Sequence, residues 1–313
     1  MKPWEYVKGL HHLGNGIYAY LLPDGSWGLN NAGLVVSGNE SLLIDTLFDI
    51  EHTREMLGEM AAATPAARVI DTLVITHGNG DHFYGSQLVK GARIIASRAC
   101  AEEMEKSPPE TLAALMEMAP ELGEAGRFVF RAFGRFRFRG VSPLPATRTF
   151  DKRLDFNVGD KQIRLMEVGP AHTRGDTIVF IPGDKTIFAG DILFIGGTPV
   201  IWAGPMKNWI DACDLMLDMD VDTFVPGHGP VTDKKGVDAV KGYLEFIFNE
   251  TRKRYENGMP EEKAASDIDL GPYKYLGDPE RIIINVNTLY REFSKSDSPP
   301  DVMDLFSRMA RPA

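Results

Sequence analysis

Four of the seven histidines stand where short apolar runs give way to polar loops. His77 and His82 share the stretch Thr76-His77-Gly78-Asn79-Gly80-Asp81-His82, His172 lies in Ala171-His172-Thr173, and His228 in Pro226-Gly227-His228-Gly229. Asp191 joins them from Ala189-Gly190-Asp191-Ile192. Imidazole and carboxylate are donors suited to zinc, manganese or iron, and ligands on separate loops can converge at the edge of a sheet sandwich. One such histidine alone is more often a capped or core residue. Five residues in separate strand-end loops make a metal site the stronger reading. A bound divalent cation lowers the pKa of its water from about 15.7 to about 7 and polarises an electrophile. Asp81 is then placed to accept a proton or to hold the nucleophile's orientation. No Gly-x-Ser-x-Gly elbow, Walker loop or Rossmann fingerprint in strand-to-helix context competes with this chemistry. Two histidines and one carboxylate also suit non-haem iron, so an iron-dependent oxygenase is the alternative within metal chemistry.

The elements that must carry these residues are legible in outline. Short strands over Gly16 to Leu22, Ala32 to Val36 and Ser41 to Ile44 are punctuated by Pro23-Asp24-Gly25 and Ser37-Gly38-Asn39. A helix is predicted over Ile50 to Ala63 and a strand over Val69 to Thr76. Residues 99 to 125 read as helical with a break at Pro108-Pro109, and Arg127 to Gly140 interleave phenylalanine and arginine. Residues 99 to 145 are therefore expected to form an insertion that buries its phenylalanines while its arginines stay solvated; single-stranded nucleic acid or an anionic substrate is the competing use of that pattern. Strands return over Ile163 to Met166, Thr177 to Ile181, Thr186 to Ala189 and Asp222 to Val225. Beyond Val237, apolar residues recur at helical spacing, and Asp278-Pro279 is expected to cap the last long helix.

Order and motifs together resemble the metallo-β-lactamase-like fold superfamily from about Gly16 to Val231. Leu42-Leu43-Ile44-Asp45-Thr46 resembles its glycine-framed strand ending in Asp, and His77 to His82 its His-x-His-x-Asp-His loop. The resemblance implies an α/β fold, a four-layer αββα sandwich, with a catalytic domain over residues 1–236 and a helical extension over 237–313. It implies that His77, position 79 and His172 hold one metal, that Asp81, His82 and His228 hold a second, that Asp191 bridges them, and that Asp45 orients ligands without binding metal. The chain departs from that pattern at Asn79, a neutral amide where the family has histidine. Two zinc ions are expected, with the first position weakened by Asn79, and manganese or iron fit the same donors. The departure also motivates a non-catalytic metal or ligand-binding protein.

Hydrolysis of an ester, lactone or amide-like bond in a fairly apolar small molecule is the expected activity, with Phe133, Trp202 and Trp209 as candidate pocket walls. A formal net charge of −10 and a pI near 5.3 argue against a nucleic-acid partner. No run approaches the ~20 apolar residues of a membrane span and the N-terminus lacks a signal-like apolar run, so a cytoplasmic protein is expected. Cys100 and Cys213 have no ligand spacing and read as buried thiols. The C-terminal helices are expected either to pack over the site or to form a homo-oligomer interface.

Overall fold

The structure is a computed structural model and describes residues 4–310. Its frame is two sheets. The first contains β1 (Gly9–Gly14), β2 (Ile17–Leu21), β3 (Ala32–Ser37), β4 (Glu40–Ile44), β5 (Thr72–Val74), β6 (Arg93–Ser97) and β7 (Arg148–Phe150), paired in that order. The second runs β12 (Thr223–His228), β11 (Thr186–Phe194), β10 (Thr177–Ile181), β9 (Lys161–Glu167), β8 (Arg153–Val158). Alternation sorts the side chains between layers. Leu42 and Ile44 face Ile163, Leu165, Val179 and Ile181 between the sheets, whereas Leu43 turns outward with Met56 and Met60 of α1 (Ile50–Ala63).

Helix α1 begins where Asp49 accepts the His52 N–H at 2.9 Å and ends at Thr64, whose extended backbone precedes Pro65. The outer face of the second sheet, with Ile187 and Ala189, packs with Trp209, Cys213 and Met216 of α6 (Met206–Asp218) and with Val237, Val240 and Leu244 of α7 (Lys234–Glu256). Helix, sheet, sheet and helix make the expected αββα sandwich.

Between β5 and β6 lie the short helix α2 (Gly80–Phe83) and a 3-10 stretch at Tyr84–Val89. After β6, Ser97 caps α3 (Arg98–Lys106), Pro108-Pro109 break the chain as expected, and α4 (Pro109–Met118) and α5 (Gly123–Phe133) follow. Phe128, Phe133, Phe136 and Phe138 are buried, and Phe130 is the exception at 66% exposed. The arginines among them lie at the surface, where Arg127 pairs with Glu124 and Arg139 with Glu117.

The C-terminal region adds α8 (Glu261–Asp267), α9 (Ile282–Ser294) and α10 (Val302–Met309), whose apolar faces join the same core as α6 and α7. The expected boundary at 236/237 falls inside α7, and residues 311–313 lie outside the described residues. Asp278 stands just before a helical turn that begins at Pro279, but its side chain makes no capping bond. Its backbone is left-handed, with φ 52°, and its carboxylate turns to Arg281 at 3.0 Å, so a 3-10 turn at Pro279–Arg281 precedes α9. Among the described residues no helix is long and apolar enough to cross a membrane.

Candidate metal centre

Parallel pairing brings the functional ends together. Strands β4, β5 and β6 run parallel in one sheet and β11 with β12 in the other, so several carboxyl ends reach one edge. Asp45 follows β4, and His77 follows β5 after Thr76; Asn79 leads into α2, which carries Asp81 and His82. His172 occupies the loop between β9 and β10, and His228 is the last residue of β12. Asp191, expected in a strand-end loop, lies inside β11, where the register to β12 shifts on either side of Gly190. That irregularity aims the carboxylate inward. A Cβ at Gly227 would run into Asp191 Oδ1 and the Gly190 carbonyl, so glycine is required for this approach.

Each of the four imidazoles has its Nδ1 engaged on the outer side. His77 Nδ1 lies 3.1 Å from Thr76 Oγ1, His82 Nδ1 2.9 Å from Asp45 Oδ2, His172 Nδ1 2.6 Å from the Val200 carbonyl, and His228 Nδ1 3.1 Å from the Gly25 carbonyl. The Nε2 atoms point inward. His82 Nε2 is 3.1 Å from Asp191 Oδ1, His172 Nε2 is 3.3 Å and His228 Nε2 3.4 Å from Asp191 Oδ2, and His228 Nε2 is 3.5 Å from Asp81 Oδ2. His77 Nε2, His82 Nε2 and Asp191 Oδ1 are buried with no hydrogen-bond partner. Buried polar atoms without partners are costly; three of them facing one point fit a metal ion. Two groups have ligand atoms within 4.8 Å of one another: His77, His82 and Asp191, and Asp81, His82 and His228.

Asp45 meets the cluster from behind. Its buried carboxylate accepts the Thr76 N–H and O–H, each at 2.7 Å, and holds His82 Nδ1. Its own backbone is left-handed at φ 61°, a conformation that costs a residue with a Cβ about 1–3 kcal/mol and collects at functional sites. Such an outer carboxylate on a ligand imidazole fixes the tautomer and ring direction.

Burial and mutual charge polarise the cluster. Burial, followed by the neighbouring His82, pulls His77 well below the ordinary histidine value, and burial lowers His172. Burial works against the charged form of Asp191 too, yet the imidazoles of His228, His82 and His77 outweigh it and hold the carboxyl well below the usual range. The two histidines nearest the carboxylates behave oppositely to His77: burial disfavours their charge, but Asp191 and Asp81 prevail, and His228 is pushed up to about 9.

Asn79 lies beside the cluster with its amide nitrogen 3.0 Å from His172 Nε2. Because the Val200 carbonyl can only accept, His172 carries its proton on Nδ1 and presents a lone pair at Nε2, to which the Asn79 amide donates.

A cavity of about 320 Å³ shares Asn79, Asp81, His172, Asp191 and His228 with the centre. Its other walls are mainly apolar: Trp27, Phe48, Tyr84, Leu112, Phe133, Phe194, Val200 and Trp202. Of the three aromatic residues named from the sequence, Phe133 and Trp202 line this cavity. Trp209 does not: it is fully buried behind His172, with ring centroids 5.7 Å apart, and donates to the Ile192 carbonyl at 3.0 Å. The sequence reading missed Trp27, Phe48, Tyr84 and Arg281. An aromatic residue inside the turn-rich stretch Pro23 to Asn31 was a usable signal for Trp27, whereas nothing marks Arg281, which arrives from the segment before α9.

Residues 25–228 match the family model described as the metallo-beta-lactamase superfamily. The chain belongs to the metallo-beta-lactamase superfamily. It is 26% identical over 215 residues to the acyl-coenzyme A thioesterase MBLAC2 of Bos taurus, covering 63% of this chain and 72% of that one. It is 32% identical over 91 residues to the 2,4-dinitroanisole O-demethylase subunit alpha of Nocardioides sp. (strain JS1661), 27% of this chain and 26% of that protein. Among solved structures it is similar to the stereoselective inverting sec-alkylsulfatase Pisa1 from Pseudomonas sp., with TM-score 0.66 and 15% identity, over 92% of this chain and 50% of that one. A metallo-beta-lactamase from Pontibacter korlensis gives TM-score 0.56 and 18% identity over 75% of this chain and 98% of that one. At these identities the structural likenesses concern the fold. The chain spans half of the alkylsulfatase and about a quarter of the demethylase subunit.

Proposed function

We propose that the chain is a metal-dependent hydrolase of an ester-type bond, carboxylic ester, lactone or thioester, in a small and largely apolar molecule. The observation that carries this reading is the convergence of four Nε2 atoms, each imidazole fixed from behind through Nδ1, with Asp81 and Asp191 beside an aromatic-walled cavity. A thioesterase and an alkylsulfatase among the similar proteins support hydrolysis of ester-type bonds.

In this reading Asp81, His82 and His228 form one metal position, His77, Asn79 and His172 the other, and Asp191 lies between them. Bound zinc would supply an activated water and polarise the scissile group. The chain's own residues do the rest. Asp81 faces both the cavity and His228, and holds or takes the proton of the attacking water. Trp27, Phe48, Phe133 and Trp202 bind the apolar part of the substrate and exclude bulk water, which strengthens every charge interaction nearby. Asn79 makes its own position the weaker one, because an ion there must displace the amide from His172 Nε2 and be met by a neutral oxygen.

The test is the metal content of protein purified without added metal, followed by turnover of ester, lactone and thioester panels by the wild type and Asp81→Ala. Near two zinc ions per chain and turnover abolished in Asp81→Ala are expected. One iron would redirect the reading to an oxygenase, and no retained metal even after zinc is supplied would end the catalytic one.

A further inference from the structure

The backbone contacts on His172 come from a loop that the C-terminal segment holds. The loop from Ile195 to Pro205 has no regular structure apart from a bridge between Gly197 and Gly277, yet its Val200 carbonyl sets the His172 proton on Nδ1. The Trp202 and Ala203 N–H groups donate to the His172 carbonyl at 3.0 and 3.1 Å. Helix α9 holds the middle of this loop. Asn285, fully buried, accepts the Ile201 N–H at 2.9 Å through Oδ1 and donates to the Pro199 carbonyl at 2.8 Å through Nδ2, one amide gripping the residues on either side of Val200. Tyr243 Oη lies 3.0 Å from the same Nδ2, and Thr288 Oγ1 donates to the Ile201 carbonyl at 2.7 Å. Only an amide offers a donor and an acceptor at that spacing. Without it, a buried N–H and a buried carbonyl lose their partners, and the peptide that bears the Val200 carbonyl turns to find others.

We propose that Asn285 is a positioning residue for the metal centre: by gripping Pro199 and Ile201 it fixes the Val200 carbonyl, which sets the tautomer and the aim of His172. This rests on the reading of His172 as a metal ligand given above. The fold therefore builds one side of the centre from a helix far beyond the last ligand in sequence, and through two peptide groups instead of a direct contact.

The experiment removes metal from the full chain with a chelator and titrates zinc calorimetrically into wild type, Asn285→Ala, Asn285→Asp, His172→Ala and Tyr290→Phe. Nitrogen NMR of zinc-free protein labelled at histidine reads the tautomer of His172. His172→Ala identifies the zinc step that depends on this residue. Asn285→Ala should weaken that step about tenfold to a hundredfold, leave the other step within about twofold, and mix the two tautomers of His172. Asn285→Asp keeps the acceptor for the Ile201 N–H and should fall between. Tyr290→Phe, which removes a bond to the Met259 carbonyl elsewhere in the same segment, should lower the melting temperature and change neither zinc nor tautomer. Asn285→Ala with both zinc steps and the Nδ1–H tautomer intact overturns the inference alone, as does a wild-type His172 protonated on Nε2. A wild-type chain that takes up no zinc, or a His172→Ala chain that loses no zinc step, overturns the metal reading and the inference with it.

Discussion

Two irregular stretches support the cavity, one backing its aromatic wall and one lining it, and they are held in different ways. Residues 134–147 back the aromatic wall: Phe136 and Phe138 each pack on Phe48 with ring centroids 4.9 Å apart. This stretch is tied at partly exposed backbone positions, by the buried Asp49 accepting the Arg137 N–H at 3.1 Å and the buried Ser86 accepting the Leu144 N–H at 2.8 Å. Residues 195–205 are gripped from a buried side by Asn285, Thr288 and Arg281. The difference follows from what each stretch must hold. An aromatic wall tolerates small displacements, because packing contacts are many and individually weak. An imidazole that must aim a lone pair does not, because one carbonyl decides where that lone pair points.

The comparison predicts unequal penalties. The largest belongs to Arg281, which is buried, donates to the Thr198 carbonyl at 2.9 Å, pairs with Asp278 and stacks 4.5 Å from the Trp27 ring centroid. Arg281→Leu should cost on the order of 3 kcal/mol in denaturant unfolding, since it strands Asp278 without its partner. A loss below about 1 kcal/mol would mean that the gripped side is no stiffer than the other.

Asp49→Ala should cost about 1–2 kcal/mol, as the α1 cap and the Arg137 tether disappear together. It should raise KM more than it lowers kcat, because it loosens a wall and touches no ligand; a loss confined to kcat would contradict that division.

The smallest effect is the pH dependence of the Asp49–His52 pair, 2.8 Å apart. Asp49 is lowered despite its burial, chiefly by hydrogen bonds from His52, and His52 is raised chiefly by its hydrogen bond to Asp49. The Asp49 contribution is present above the ordinary value of 3.8 and lost as pH falls through the lower folded value. The His52 contribution is present below 6.5 and lost as pH rises through the higher folded value. The stability gap between wild type and His52→Gln should therefore peak near pH 5, at roughly 0.5 kcal/mol; a gap that keeps growing above neutral pH would break the assignment.

Regions of strong local pattern were readable in advance. The predicted helix over Ile50 to Ala63 matches α1, whose cap and apolar spacing both lie in the stretch itself, and the Pro108-Pro109 break falls between α3 and α4. The strand predicted over Val69 to Thr76 shrinks to Thr72–Val74, since a 3-10 turn at Pro65–Arg68 brings the chain in and Asp45 takes the Thr76 N–H. Strands β1, β6, β7 and β8 were not anticipated; Arg153–Val158 alternates exposed and partly buried residues at the sheet edge, with charges that mask its period. The histidines and aspartates of the centre announce themselves by type and placement. Asn285, Arg281 and the Val200 carbonyl do not, because a backbone acceptor carries no side-chain signature and its support comes from residues distant in sequence.

The left-handed turn at Asp45 also bears on timing. Asp45, Thr76 and His82 lie within the first third of the chain and can lock together as soon as that portion is made, whereas the loop that aims His172 waits for Ile282–Ser294. During synthesis, then, the Asp45 side of the centre draws on residues made early, and the His172 side is complete only once α9 has been made as well.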